Sequence, residues 1–462
     1  MSARRFACLM ASLLLVLSAA QAAFKLPAPE KFVLKNGITV YFYRNAELPL
    51  VSFRLFLRGA GSAQEPTALE GVANLTARLL TKGTSGRDAD AVAEAVDFMG
   101  ASFAISASDE YASLSADGLA GNFPKLLEIA ADCLTAPSFK EDEFEKERKT
   151  RLDSLKAVKD SPAAAVRNYF TKAYFGTHPL GHLTGGTEAS LGKITLADVK
   201  SYYQKYYTPA KGLAAVVGDI DKATAEKLLN AAFGGWKGAG NIAASGLPAL
   251  PKPAGVKLLL VDKPDATQAY WVMGAPGYAL GAKITPEAAV MNTLFGGRFT
   301  SWLSTELRIK RGLTYGASSN VQTYRIGGVF SASSYTRNDK IGEMLAIALD
   351  LLKKARSEGF SAEEIESARN YIQGQFPPTL ETNGAKANAY VRLTFFNLGF
   401  DYYDKYLAGV QAVTPAMAKS AAAQILPDRD CVLVVVGKAA EIKDQLAKFG
   451  TWTEKKITDP GF

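Results

Sequence analysis

Apolar positions fall into two runs of the same order. In the first half, residues 37–45 (GITVYFYRN) and 51–62 (VSFRLFLRGAGS) read as strands, rich in β-branched and aromatic residues and closing on turn formers. Residues 69–80 (LEGVANLTARLL) then place apolar side chains at helical spacing. The second half repeats the sequence of elements: 256–264 (VKLLLVDKP), 269–279 (AYWVMGAPGYA) and 286–295 (PEAAVMNTLF). Each half ends on an uninterrupted apolar strand closing on Gly, GLAAVVGDI at 212–220 and CVLVVVGKA at 431–439. Long helices are predicted between, at 140–158 and 341–358. Strands and helices mix without strict βαβ alternation, so the prediction is a duplicated α+β architecture.

Between the repeats, GAGNIAASGLPALPKPAGV (238–256) is rich in Gly, Ala and Pro and lacks apolar periodicity, as a linker does. The expected organisation is therefore 23–237, a linker at 238–256, and 257–462. Residues 1–22 are expected to be removed. Arg4 and Arg5 precede an apolar run from Phe6 to Leu17 and then Ala20-Gln21-Ala22, the layout of an export signal with its cleavage site. The run is short for a membrane span and no later one follows, so an exported, periplasmic chain without a stable membrane anchor is expected.

Composition narrows the chemistry. Hydrophobic residues make up 48% and charged residues 21%, values of a folded chain. Loss of Arg4 and Arg5 with the signal lowers the formal charge from +8 to +6, and no basic block with interleaved aromatics is present. Nucleic acid is therefore not an expected partner; acidic peptides or an anionic surface fit the charge better. Cys133 and Cys431 remain after Cys8 is removed, lie far apart in apolar surroundings, and read as buried thiols. No cysteine-based metal site is possible. The only histidines, His178 and His182, lie in THPLGH, where Pro179 and Gly181 prevent a zinc-binding helix, so both read as loop residues. No G-x-S-x-G elbow, Walker A loop or dinucleotide fingerprint occurs.

The stretch RGAGSAQEPTALEGVANLTARLLTKGT (58–84) resembles the pitrilysin/insulinase-like (inverzincin) metallopeptidases, which include the mitochondrial processing peptidase subunits. There a strand, Gly-Ser, a Glu-Pro loop and a helix bearing H-x-x-E-H precede Lys-Gly-Thr, and a distant Glu completes the zinc site. The resemblance extends through NYFTKAYFGTHPLGHLTGGTEASLGKITLADVKSYYQKYYTPAKGLAAVVGDI and LFGGRFTSWLSTELRIKRGLTYGASS. It implies two α/β-roll domains, each a mixed sheet packed with helices, forming half of a clamshell. It also places Asn74 and Arg78 at the two His positions, Ala77 at the catalytic Glu and Ser154 at the distal Glu. None of these is a plausible zinc ligand or base, so no metal is expected in this chain. Arg308 and Tyr315 match the Arg/Tyr pair that a zinc-free half turns toward its partner's zinc. A guanidinium and a phenol can both donate hydrogen bonds to substrate carbonyl oxygens. Read without the resemblance, they are a helix-surface Arg and a core-strand Tyr. The resemblance further aligns 100–118 with an edge strand that pairs with substrate in active members; here, facing no zinc, it reads as plain sheet. FGGRFTS (295–301) aligns with a longer glycine-rich substrate loop. The implied partner is a homologue with intact H-x-x-E-H that holds zinc, and the implied substrate is a peptide or unfolded polypeptide. The alternative is a catalytically inactive scaffold or peptide-binding homologue.

Overall fold

A computed structural model describes residues 25–238 and 246–461. The expected signal segment and residues 239–245 of the expected linker lie outside the described residues; 246–255 carry no regular structure.

Twelve strands build two six-stranded mixed sheets among the described residues. The first holds β1 (Glu30–Val33), β2 (Thr39–Arg44), β3 (Leu50–Arg58), β4 (Ser102–Ala107), β5 (Tyr111–Leu119) and β6 (Gly212–Gly218), in the order β1-β2-β6-β3-β5-β4. The second holds β7 (Val256–Asp262), β8 (Gln268–Pro276), β9 (Ala317–Tyr324), β10 (Gly327–Arg337), β11 (Cys431–Gly437) and β12 (Thr453–Lys456), in the order β12-β7-β11-β8-β10-β9. Five strands correspond one to one. In each sheet the last long strand pairs parallel to the first repeat strand and antiparallel to the second. The sixth strand differs in origin: β1 joins β2 antiparallel, whereas β12 joins β7 parallel from the other end of the chain.

The central strands β6 and β11 are buried at every position, which requires cover on both faces. The cover is exchanged between the halves. Five helices matter below: α1 (Val72–Leu79), α2 (Glu141–Asp160), α3 (Pro162–Phe175), α4 (the continuous turns from Trp302 to Lys310) and α5 (Asn383–Phe395). On β6, Ala214 and Val216 face the core of the first half, while Leu213, Ala215 and Val217 pack with Tyr390, Val391 and Phe395 of α5. On β11, Leu433 and Val435 join the core of the second half, while Val432, Val434 and Val436 join the cluster that contains Val166 and Phe170 of α3. The two-residue period of a strand sorts the faces. Gly274 on β8 permits the close approach of α3: a Cβ there would lie 2.2 Å from the Phe170 ring.

The hairpin ends of the two sheets are also joined. Glu110, buried in the β4–β5 turn, accepts from Arg325 Nε at 3.0 Å in the β9–β10 turn. The Phe395 ring lies beneath both Arg325 and Arg58, at 5.0 and 5.8 Å. Separating the two halves would expose an apolar face on each sheet. Cys133 and Cys431 are buried free thiols, as composition suggested.

Candidate functional site

The α1 helix starts from Gly71 in the left-handed region (φ 96°), against the backbone of Gly186. Its N-terminus is capped from a distance. Glu65 Oε2 accepts from Gly71 N at 3.1 Å and Oε1 from Ala73 N at 2.7 Å. These satisfy two amides that a helix start otherwise leaves orphaned. Glu65 is buried, and burial pushes its carboxyl up to about 8 despite the two amide donors, with the Glu70 charge adding to the rise. Glu70 itself is tied to Lys172 Nζ. The folded chain thus keeps a proton on Glu65 that the unfolded chain releases near 4.5. This contribution to stability is full below about 4.5 and is lost as pH rises toward about 8. Glu65→Gln is expected to flatten that loss, checked by urea midpoints at pH 6 and 8.5.

The two histidines hold loops. His178 Nδ1 accepts from Leu180 N at 3.1 Å, so its Nε2–H donates to Pro248 O in the linker at 3.1 Å. His182 Nδ1–H donates to Ser62 O at 3.1 Å, anchoring the loop that carries Glu65. Among the described residues neither ring lies in a group of three or more His, Cys, Asp or Glu that could hold a metal.

Helix α1 packs on α2, which brings the positions aligned with metal ligands into one region. Ala77 is fully buried, and the Asn74 amide oxygen is buried without a hydrogen-bond partner. Arg78 Nε donates to Glu147 Oε2, and Lys82 Nζ lies 3.1 Å from Glu147 Oε1. The Glu147 side chain is 8% exposed. Burial pushes its carboxyl up, but Arg78 and then Lys82 outweigh that and hold it below the usual range. A third cation, Arg151, lies on the same helix, and its guanidinium is pushed down by burial and then by Arg78. Ser154 is turned to its own helix, donating to Thr150 O at 2.8 Å. The donor set does not fit zinc: it offers one carboxylate, already paired, among three cations. Among the described residues no group of three or more His, Cys, Asp or Glu could hold a metal.

Arg308 and Tyr315 lie in the other half. After the helix Thr285–Asn292, a widened turn spans Thr293–Gly297; FGGRFTS is thus a compact connection into α4, which starts at the Ser301 cap. Arg308 projects from the widened second part of α4 and lies over the Phe299 ring, 4.6 Å from its centre. Tyr315 is 81% exposed in the loop before β9, so it is not the core-strand tyrosine its pattern suggested. That loop is fixed from β10: Thr336 Oγ1 donates to Leu313 O at 2.7 Å and Ser334 Oγ to Gly316 O at 2.8 Å. The phenol is held out by a pinned backbone. No hydrogen bond or ion pair among the described residues links either side chain to Asn74, Ala77, Arg78 or Ser154. The 100–118 stretch forms the β4–β5 hairpin, with β4 as the edge strand beside α1.

Sequence reasoning missed Glu65 and Glu147. The signal for Glu147 was present: Phe144, Glu147, Arg151 and Leu155 recur at helical spacing, and Phe144 and Leu155 are buried.

Two models of one family match the chain in succession, the insulinase (peptidase family M16) model over residues 45–188 and the peptidase M16 inactive domain over 193–372. The chain is 26% identical over 357 residues to the "uncharacterized zinc protease YmxG" of Bacillus subtilis, covering 77% of this chain and 86% of that one. It is 28% identical over 381 residues to an "uncharacterized zinc protease" of Streptomyces coelicolor, covering 81% and 82%. Among solved structures, a peptidase M16 inactive domain from Pseudomonas fluorescens superposes with a TM-score of 0.82 at 25% identity, covering 88% of this chain and 97% of that one. A protease from Helicobacter pylori shares the fold, with a TM-score of 0.83 at 22% identity over 89% of this chain and 100% of that one. With its fold and successive family matches, the chain belongs to the insulinase-like peptidase M16 family.

Proposed function

We propose that this chain is the zinc-free subunit of an exported, heterodimeric zinc metalloendopeptidase. Its partner is a homologue with an intact H-x-x-E-H helix that holds the zinc, and its substrates are peptides or unfolded polypeptide segments. Residues 1–22 direct it to the periplasm. The observation that carries this reading is an asymmetry. Of the positions aligned with the metal site, Arg78 is committed to an ion pair with Glu147, whereas Tyr315 is exposed and Arg308 has no ion-pair partner among the described residues. Relatives named as zinc proteases supply the chemistry to which such donors would contribute. In the pair, the Arg308 guanidinium and Tyr315 phenol donate to substrate carbonyl oxygens, orienting the chain and stabilising negative charge as it develops on the oxygen under attack.

The test is reconstitution. The chain should copurify with a zinc-bearing homologue, and the mixture should cleave peptides that neither component cleaves alone. A chain that never associates with such a homologue, or adds nothing to its activity, would instead be a scaffold or peptide-binding protein.

A further inference from the structure

Arg308 has no carboxylate partner among the described residues, although Glu306 lies two positions away. Glu306 is already engaged, by Lys310 at 3.0 Å and Arg311 at 3.2 Å. The neighbouring Arg298 is directed elsewhere, to Ser367 Oγ at 3.0 Å. Among the described residues the Arg308 guanidinium makes no hydrogen bond or ion pair, and it lies over the Phe299 ring, 4.6 Å away and itself 60% exposed. That distance is inside the range of about 6 Å over which a cation is held by a ring face. The loop carrying Phe299 is closed by Ser301 N donating to Arg298 O at 3.1 Å, so the ring has a defined base.

A π face and a carboxylate restrain a guanidinium differently. A carboxylate takes two of the five N–H donors and cancels the charge; an aromatic face attracts the cation while leaving those donors available. We propose that Phe299 is a positioning residue for Arg308, holding the guanidinium in place with its donors free for substrate carbonyl oxygens. The proposal rests on Arg308 being a substrate-binding donor.

The test uses the full-length chain and two readouts. The first is the Nε–Hε NMR signal of Arg308, identified by its loss in Arg308→Lys. Ring current displaces it, so it should move in Phe299→Leu, which keeps apolar bulk, and stay near its original place in Phe299→Tyr. The second is binding of a blocked, fluorescein-labelled 15-residue peptide, followed by anisotropy. Phe299→Leu should weaken binding roughly two- to fivefold, the size of an exposed cation–π contact, and Phe299→Tyr should restore it. An unmoved NMR signal, or wild-type binding by Phe299→Leu, overturns the positioning role. Peptide binding indifferent to Arg308→Ala overturns the reading of Arg308 itself; where the chain binds no peptide without its partner, the NMR signal decides whether the ring holds the guanidinium.

Discussion

Arg308→Ala is expected to lower kcat/KM of the assembled peptidase by about 10²-fold, close to the loss when one preorganised donor is removed from an oxyanion site. Tyr315→Phe removes only the phenolic donor and should act in the same direction, with the smaller loss of a neutral hydrogen bond. Both changes should leave the Tm of the chain unaltered. Tyr315 is 81% exposed, and the Arg308 guanidinium makes no ion pair among the described residues. Arg308→Lys should not rescue, because an ammonium lacks the planar fork of five donors. Steady-state kinetics on a short quenched peptide would check this. Unchanged kcat/KM in both variants would mean that neither side chain reaches the substrate.

The second large effect falls on stability. Arg78→Ala should destabilise the chain by roughly 2–3 kcal/mol, because the 8%-exposed Glu147 carboxylate keeps only Lys82. Arg78→Met, which restores the packing of the side-chain stem but not the charge, should recover little. The pH dependence separates charge from packing. Glu147 titrates below its ordinary value because Arg78 and Lys82 outweigh its burial. Its contribution is therefore fully present above about 4.5 and lost as pH falls through the depressed folded value. Arg78→Ala should flatten the acid limb of the stability curve and leave the curve near neutral pH uniformly lower. Adding zinc or a chelator should move neither curve, since the link between α1 and α2 is a guanidinium on a carboxylate. Urea unfolding between pH 3 and 7, with and without zinc, provides the measurement.

The elements themselves were legible. The strand runs at 37–45, 51–62, 256–264 and 269–279 became β2, β3, β7 and β8 within a few residues, and the long helices appeared at Glu141–Asp160 and Ile341–Ser357. β1, β9, β10 and β12 were not anticipated. Their polar and Ser-rich faces, as in Ser318, Ser319, Ser331 and Ser333, lack the apolar alternation that marks a strand. Glu147 lies in the charged run EDEFEKERK, where only its helical spacing from Phe144 and Leu155 sets it apart from Glu143 and Glu145. Docking of α2 against α1 distinguishes it, by burying one carboxylate of the three.

What the sequence alone determined is local: the periods that set strands and helices, the duplication, and the residue types at 74, 77, 78 and 154. Ala77 and Arg78 offer a metal ion no ligand atom in any fold. What only the tertiary structure decided is pairing. The apolar runs of β6 and β11 require cover on both faces, but nothing in them says that α5 and α3 come from the opposite half. Glu65 caps a helix six residues ahead, Arg78 finds Glu147 across two helices, and Tyr315 stands in solvent where its pattern suggested a core. Burial and partners depend on segments far apart in the chain, and those are fixed only when the sheets and helices close on one another.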